Sequence, residues 1–170
     1  MVSLQRLPLW IIPLVIILGL GLQVWYWAQL PERMAIHFGT NGEANQWMSR
    51  AGATALSCGL MVGLPLFFSV IPIALRRLPT STINIPYREY WLAPERREAT
   101  LQWISGFMFW FAAGIATFVV CINHLTFLAN RDAKPLPMLP FWISLGVFLT
   151  ATFVGVAIMW RRFPKPAKVG

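Results

Sequence analysis

LPLWIIPLVIILGLGLQVWYWAQLP, residues 7–31, carries no charged side chain from end to end. A helix needs about 20 mostly apolar residues to cross a hydrocarbon core about 30 Å thick. This stretch has that length, and residues 51–75, 101–130 and 135–160 repeat the pattern without an Asp, Glu, Lys or Arg among them. The reading is an all-α membrane protein with four transmembrane helices, forming one domain over residues 1–170. The spans are expected over 8–29, 51–75, 101–124 and 138–160. An outer loop, 30–50, and a cytoplasmic loop, 76–100, join the first three.

Composition points the same way. Hydrophobic residues make up 57% of the chain and charged residues 12%, with a mean hydropathy of +0.60. Soluble domains average about 25% charged residues. The net charge of +8 does not imply a nucleic-acid partner, because the basic residues abut the apolar spans, where they encode membrane orientation. The first span is too long for the apolar region of a cleaved signal peptide and ends in Trp25, Tyr26 and Trp27. It is expected to be retained.

The distribution of Lys and Arg sets the expected threading. Arg6 precedes the first span. Arg76, Arg77, Arg88, Arg96 and Arg97 follow the second, and Arg161, Arg162, Lys165 and Lys168 follow the fourth. The other side holds only Arg33, Arg50, Arg131 and Lys134. The positive-inside rule then puts both termini and the second connection in the cytoplasm. Trp25, Trp27, Trp47 and Trp142 fall at the outer interface, and Trp10, Trp91, Trp103 and Trp160 near the inner one. Only Trp110 falls deeper.

Small residues recur every fourth position: Ala55, Gly59 and Gly63 in the second span, Ala112 and Ala116 in the third, Ala151 and Gly155 in the fourth. Such faces let helices approach closely in lipid. Packing within the bundle is the expectation, with a homodimer seam as the alternative. Pro13, Pro65 and Pro72 each remove a backbone donor and should face protein. Pro94 suits a first helical turn, with Glu95 complementing the dipole there, so the third helix should begin before its apolar stretch and stop near His124.

Both longer connections carry structure. Ala35 to Phe38 reads as extended, Asn41-Gly42 is a tight-turn signal, and Ser49 can cap the second span. Ile36, Phe38 and Trp47 should fold this loop onto the helix ends. In the second connection, Tyr87, Tyr90, Trp91 and Leu92 lie beside Arg88, Arg96 and Arg97. That composition suits a segment lying among headgroups or a docking surface for a cytoplasmic partner.

The order Leu30-Pro31, Ile36-His37-Phe38, Gly42, Trp47 resembles the uncharacterised N-terminal membrane domain of SdpI-type bacterial proteins. The run Asn84-Ile85-Pro86, then Glu89 to Arg97, is also similar to members of that group. The family often has Asn after His-Phe and Asp shortly before the aromatic, where this chain has Gly39 and Asn45. The resemblance implies a multipass membrane protein, in a group linked to toxin immunity and to membrane sequestration of a repressor.

No metal or cofactor is expected. Glu32, His37, Glu43 and His124 are the only candidate ligands, and none has paired spacing. Cys58 and Cys121 read as small packing residues. The spans hold no charged groups and no broken-helix repeat of a transporter, and no nucleophile with a partner base, so an enzyme is not expected. Two roles remain: a signalling or immunity-type protein acting through protein partners in the membrane or cytoplasm, or an accessory or scaffold subunit of a larger membrane complex. A binder of lipid or a small molecule within the bundle is a lesser third.

Overall fold

The computed structural model describes residues 7–166; Arg6 and Lys168, used above for orientation, lie outside them. Four helices are long and apolar enough to span a membrane: α1 (Pro8–Trp27), α2 (Arg50–Arg77), α4 (Pro94–Asp132) and α5 (Met138–Arg162). Between α1 and α2 lie two strands, β1 (Arg33–Phe38) and β2 (Ala44–Ser49), paired antiparallel. The fold is therefore not all-α. Asn41-Gly42 does make the turn, with Gly42 at φ +82°, and the loop closes through Gly39 N–H to the Glu43 carbonyl at 2.8 Å. A short helix, α3 (Arg88–Trp91), precedes α4.

The helices begin and end where local chemistry allows. Pro8 and Pro94 open α1 and α4 in the first helical turn, where a missing N–H costs nothing. Ser49 caps α2, its Oγ accepting from Gly52 N–H at 3.2 Å. Two arginines close the other ends. Arg50 Nη1 donates to the Leu30 carbonyl at 3.0 Å and to that of Trp27 at 3.3 Å, with its guanidinium 4.7 Å from the Trp27 ring centre. Arg97 Nη2 reaches the carbonyls of Leu78 at 3.0 Å, Arg76 at 3.4 Å and Leu75 at 3.5 Å. A cation at a helix C-terminus offsets its unpaired carbonyls. Arg97→Gln is expected to weaken the last turn of α2 by about 1 kcal/mol, seen as faster amide exchange confined to residues 74–78.

α4 is the central element, packed against α1, α2 and α5. It does not stop near His124. It runs 39 residues to Asp132, about 58 Å at 1.5 Å per residue, almost twice the thickness of a hydrocarbon core. The extra turns are held by partners that hydropathy does not register. Phe127 stacks on Tyr26 with ring centres 3.6 Å apart, and both are buried with Leu30, Met34 and Ala53. Leu125 and Ala129 pack with Leu136 of the following connection, and Ala133 ends the helix at φ +50°.

α5 sits at the margin, packed chiefly on α4, with no buried residue along its length. The small-residue faces divide accordingly. Ala112 and Ala116 are fully buried in α4, and a Cβ on Gly155 would lie 2.9 Å from the Phe107 ring. Ala55, Gly59 and Gly63 are exposed, and no atom lies within 4 Å of a Cβ added at either glycine. Packing within the bundle is thus not their role; α2 buries Ala53, Met61, Pro65 and Pro72 instead. Ala151 is also exposed, and Pro13, unlike Pro65 and Pro72, faces away from protein. The glycine that brings helices together is Gly19 of α1, buried against Met61 and Val120.

Candidate functional site

Polar side chains concentrate where α1 and α4 leave the apolar zone, and the hairpin is built on them. Tyr26 Oη and His124 Nδ1 share a hydrogen bond of 2.6 Å, and Gln23 reaches Asn123 at 3.5 Å. His124 thus has a neighbouring helix as its partner. Further along α4, Asn130 makes the decisive contact. Its Oδ1 accepts from Ala35 N–H at 2.6 Å and its Nδ2 donates to the Ala35 carbonyl at 2.9 Å. The amide completes the outer edge of β1 as a neighbouring strand would, and it is buried.

A second clasp holds the turn. Leu136 N–H donates to the Gly42 carbonyl at 2.9 Å, and a Cβ on Gly42 would stand 2.8 Å from the Leu136 oxygen. Only glycine fits there, both for its positive φ and for this approach. The hairpin is therefore fixed at two points to α4 and to the connection leading into α5.

The expected motif residues separate into two sets. Leu30 is buried, Ile36 and Phe38 are half-buried against the two core clusters at this end, and Gly42 is buried on Leu136. Pro31, His37 and Trp47 are exposed. Trp47 does not fold onto the helix ends; its indole is 49% exposed, with the Arg33 guanidinium 6.0 Å from the ring centre. His37 Nδ1 lies 2.6 Å from Asn45 Oδ1, pairing across the strands. Of Gly39 and Asn45, the second is the one that touches the histidine. β1 is anchored on its inner face, while β2 from Asn45 to Ser49 is exposed throughout.

At the opposite end, the second connection turns its aromatic and basic residues inward. Trp91 is half-buried, edge-on to Phe163 with ring centres 5.7 Å apart and with the Arg162 guanidinium 5.2 Å from its ring centre. Arg96 lies over the Tyr90 ring at 4.0 Å and donates from Nε to the Tyr90 carbonyl at 2.7 Å. Arg97 closes α2 as described. Of the seven residues expected to form an interaction surface there, Tyr87 and Arg88 are exposed, and Arg88 is engaged with Ser81 and Glu89. This end is a folded clasp of α2, α3, α4 and the residues after α5.

A cavity of about 650 Å³ opens beneath the hairpin, between the end of α1, β1 and the end of α4. Arg33, Arg131, Lys134, Glu43 and Trp47 all line it. Arg33, Asn130, Arg131 and Lys134 do not stand out in the sequence as site residues, because single basic or amide residues at a span's edge are ordinary. The signal available was Asn130 itself, an amide closing an otherwise apolar stretch. Among the described residues no group of three His, Cys, Asp or Glu is placed to hold a metal ion.

Residues 14–68 match a family described as a domain of unknown function (DUF1648), an uncharacterised domain found in multipass membrane proteins. The match spans most of α1, the whole hairpin and the first part of α2. No curated protein and no solved structure matches the chain.

Proposed function

We propose that this is a non-catalytic membrane protein that acts through a protein partner recognised by the hairpin, a signalling or immunity-type role of the SdpI-like kind. In this reading the chain lies in a bacterial inner membrane with both termini cytoplasmic and the hairpin outside. One observation carries it. The hairpin is locked to the bundle through β1, while β2 presents a continuous exposed strand with Trp47 at its centre. Strand edges and half-exposed tryptophans are common anchors for partners. Fixing the strand in advance lowers the entropy lost on binding.

The test is capture from native membranes in mild detergent, comparing wild type, Trp47→Ala and Tyr87→Ala. A partner retained by wild type and Tyr87→Ala but lost from Trp47→Ala supports the hairpin reading. Identical partners in all three samples would remove it.

An accessory or scaffold role is the second reading, and α5 favours it. The helix buries no residue within the chain, and Leu139, Val147 and Phe153 are about 70% exposed. A larger membrane assembly could cover that face. Co-migration with a large integral-membrane complex, undisturbed by Trp47→Ala, would establish this role over the first.

A further inference from the structure

The charges lining the cavity beneath the hairpin do not neutralise one another. Arg131 is already paired with Asp132, at 2.6 and 3.2 Å. Among the described residues, Arg33 and Lys134 have no carboxylate within ion-pair distance, and Glu43 has no cation. Uncompensated charges of both signs thus face one space without meeting. Trp47 and Phe38 supply apolar wall. Such a site complements a zwitterion, whose anion meets Arg33 and Lys134 while its cation meets Glu43; a simple anion would leave the Glu43 carboxylate unpaired.

The position of the cavity indicates the source. It opens where α1 ends, directly after Trp25 and Trp27, and where α4 emerges from its apolar stretch. That is the depth of lipid headgroups. Its volume lies within the range of ligand sites, about 300–1,000 Å³.

We propose that this cavity holds the headgroup of an aminophospholipid, with phosphate toward Arg33 and Lys134 and ammonium toward Glu43. Charge-assisted hydrogen bonds would take the phosphate on Arg33 and Lys134 and the ammonium on the Glu43 carboxylate. The ligand would fill the gap between hairpin and α4, reinforcing the Asn130 clasp. This inference requires the hairpin at a membrane surface but no protein partner, so it stands or falls apart from the recognition role.

Native mass spectrometry of the full chain, titrated with phosphatidylethanolamine or phosphatidylglycerol, tests it. Wild type is expected to bind phosphatidylethanolamine about tenfold more tightly, the factor one charge-assisted contact supplies. Glu43→Gln, in an exposed turn, should erase that preference while keeping phosphatidylglycerol binding. Arg33→Gln combined with Lys134→Gln should weaken both lipids. Equal binding of the two lipids by wild type, or a preference unchanged in Glu43→Gln, would overturn the assignment. Displacement by water-soluble glycerophosphoethanolamine at matched concentration would assign the cavity to a soluble zwitterion and overturn the lipid source.

Discussion

Asn130→Ala is expected to detach the hairpin from the bundle while leaving the four spans inserted. The substitution removes both partners of Ala35 at once, the Oδ1 that accepts from its N–H at 2.6 Å and the Nδ2 that donates to its carbonyl at 2.9 Å. Ala35 is buried, so water does not replace the lost amide cheaply. A buried group left without a partner costs about 1–3 kcal/mol, so the pair together costs roughly 2–6 kcal/mol. Hydrogen exchange reads this directly, because local opening free energies set amide protection. The Ala35 amide should exchange about two orders of magnitude faster in Asn130→Ala, with the amides of α1 and α2 unchanged. Asn130→Asp should not rescue it, since a carboxylate accepts from Ala35 N–H but offers no donor to its carbonyl. Wild-type protection at Ala35 in Asn130→Ala would mean that Gly42 and Leu136 alone hold the hairpin.

This dependence shows which parts of the molecule hydropathy could disclose. Apolar length marks all four helices that are long and apolar enough to span a membrane, because transfer into a hydrocarbon layer is a property of summed composition. Asn41-Gly42 disclosed the turn, because positive φ is a local demand that few residues meet. The end of α4 was hidden. Asn123, His124 and Asn130 look like the exit from a span, and each is instead satisfied by a residue far away in sequence, Gln23, Tyr26 and Ala35. The second connection was misleading for the same reason. Its arginines suit phosphate or a partner equally well by composition, yet Arg96 and Arg97 bind carbonyls of the chain itself. Arg50 does so at the hairpin end. Spacing establishes that residues share a face, but only packing decides which way that face turns. Ala55, Gly59 and Gly63 share one that faces away from the bundle.

Gly19→Leu is expected to be the most damaging single change within the spans. A Cβ at Gly19 would lie 2.7 Å from Met61 Sδ and 2.7 Å from Val120 Cγ2, so α1 meets α2 and α4 at one point with no room for a methyl group. Met61 is flexible and can yield. Val120 is β-branched, held to one strongly preferred rotamer in a helix, and cannot. Overfilling a packed site costs typically 1–3 kcal/mol, and leucine, which must displace both neighbours, belongs at about 3 kcal/mol. Close backbone approach is also the main source of helix association in lipid, so no hydrophobic gain offsets the separation. Gly21 is the control. It lies two residues along the same helix, and no atom lies within 4 Å of an added Cβ. Gly21→Leu should leave the thermal midpoint in detergent essentially unchanged, while Gly19→Leu lowers it by several degrees and Gly19→Ala falls between. Equal midpoints for Gly19→Leu and Gly21→Leu would show that α1 does not dock through Gly19. The buried contact between Tyr26 and Phe127 would then have to position α1, and with it the root of the hairpin.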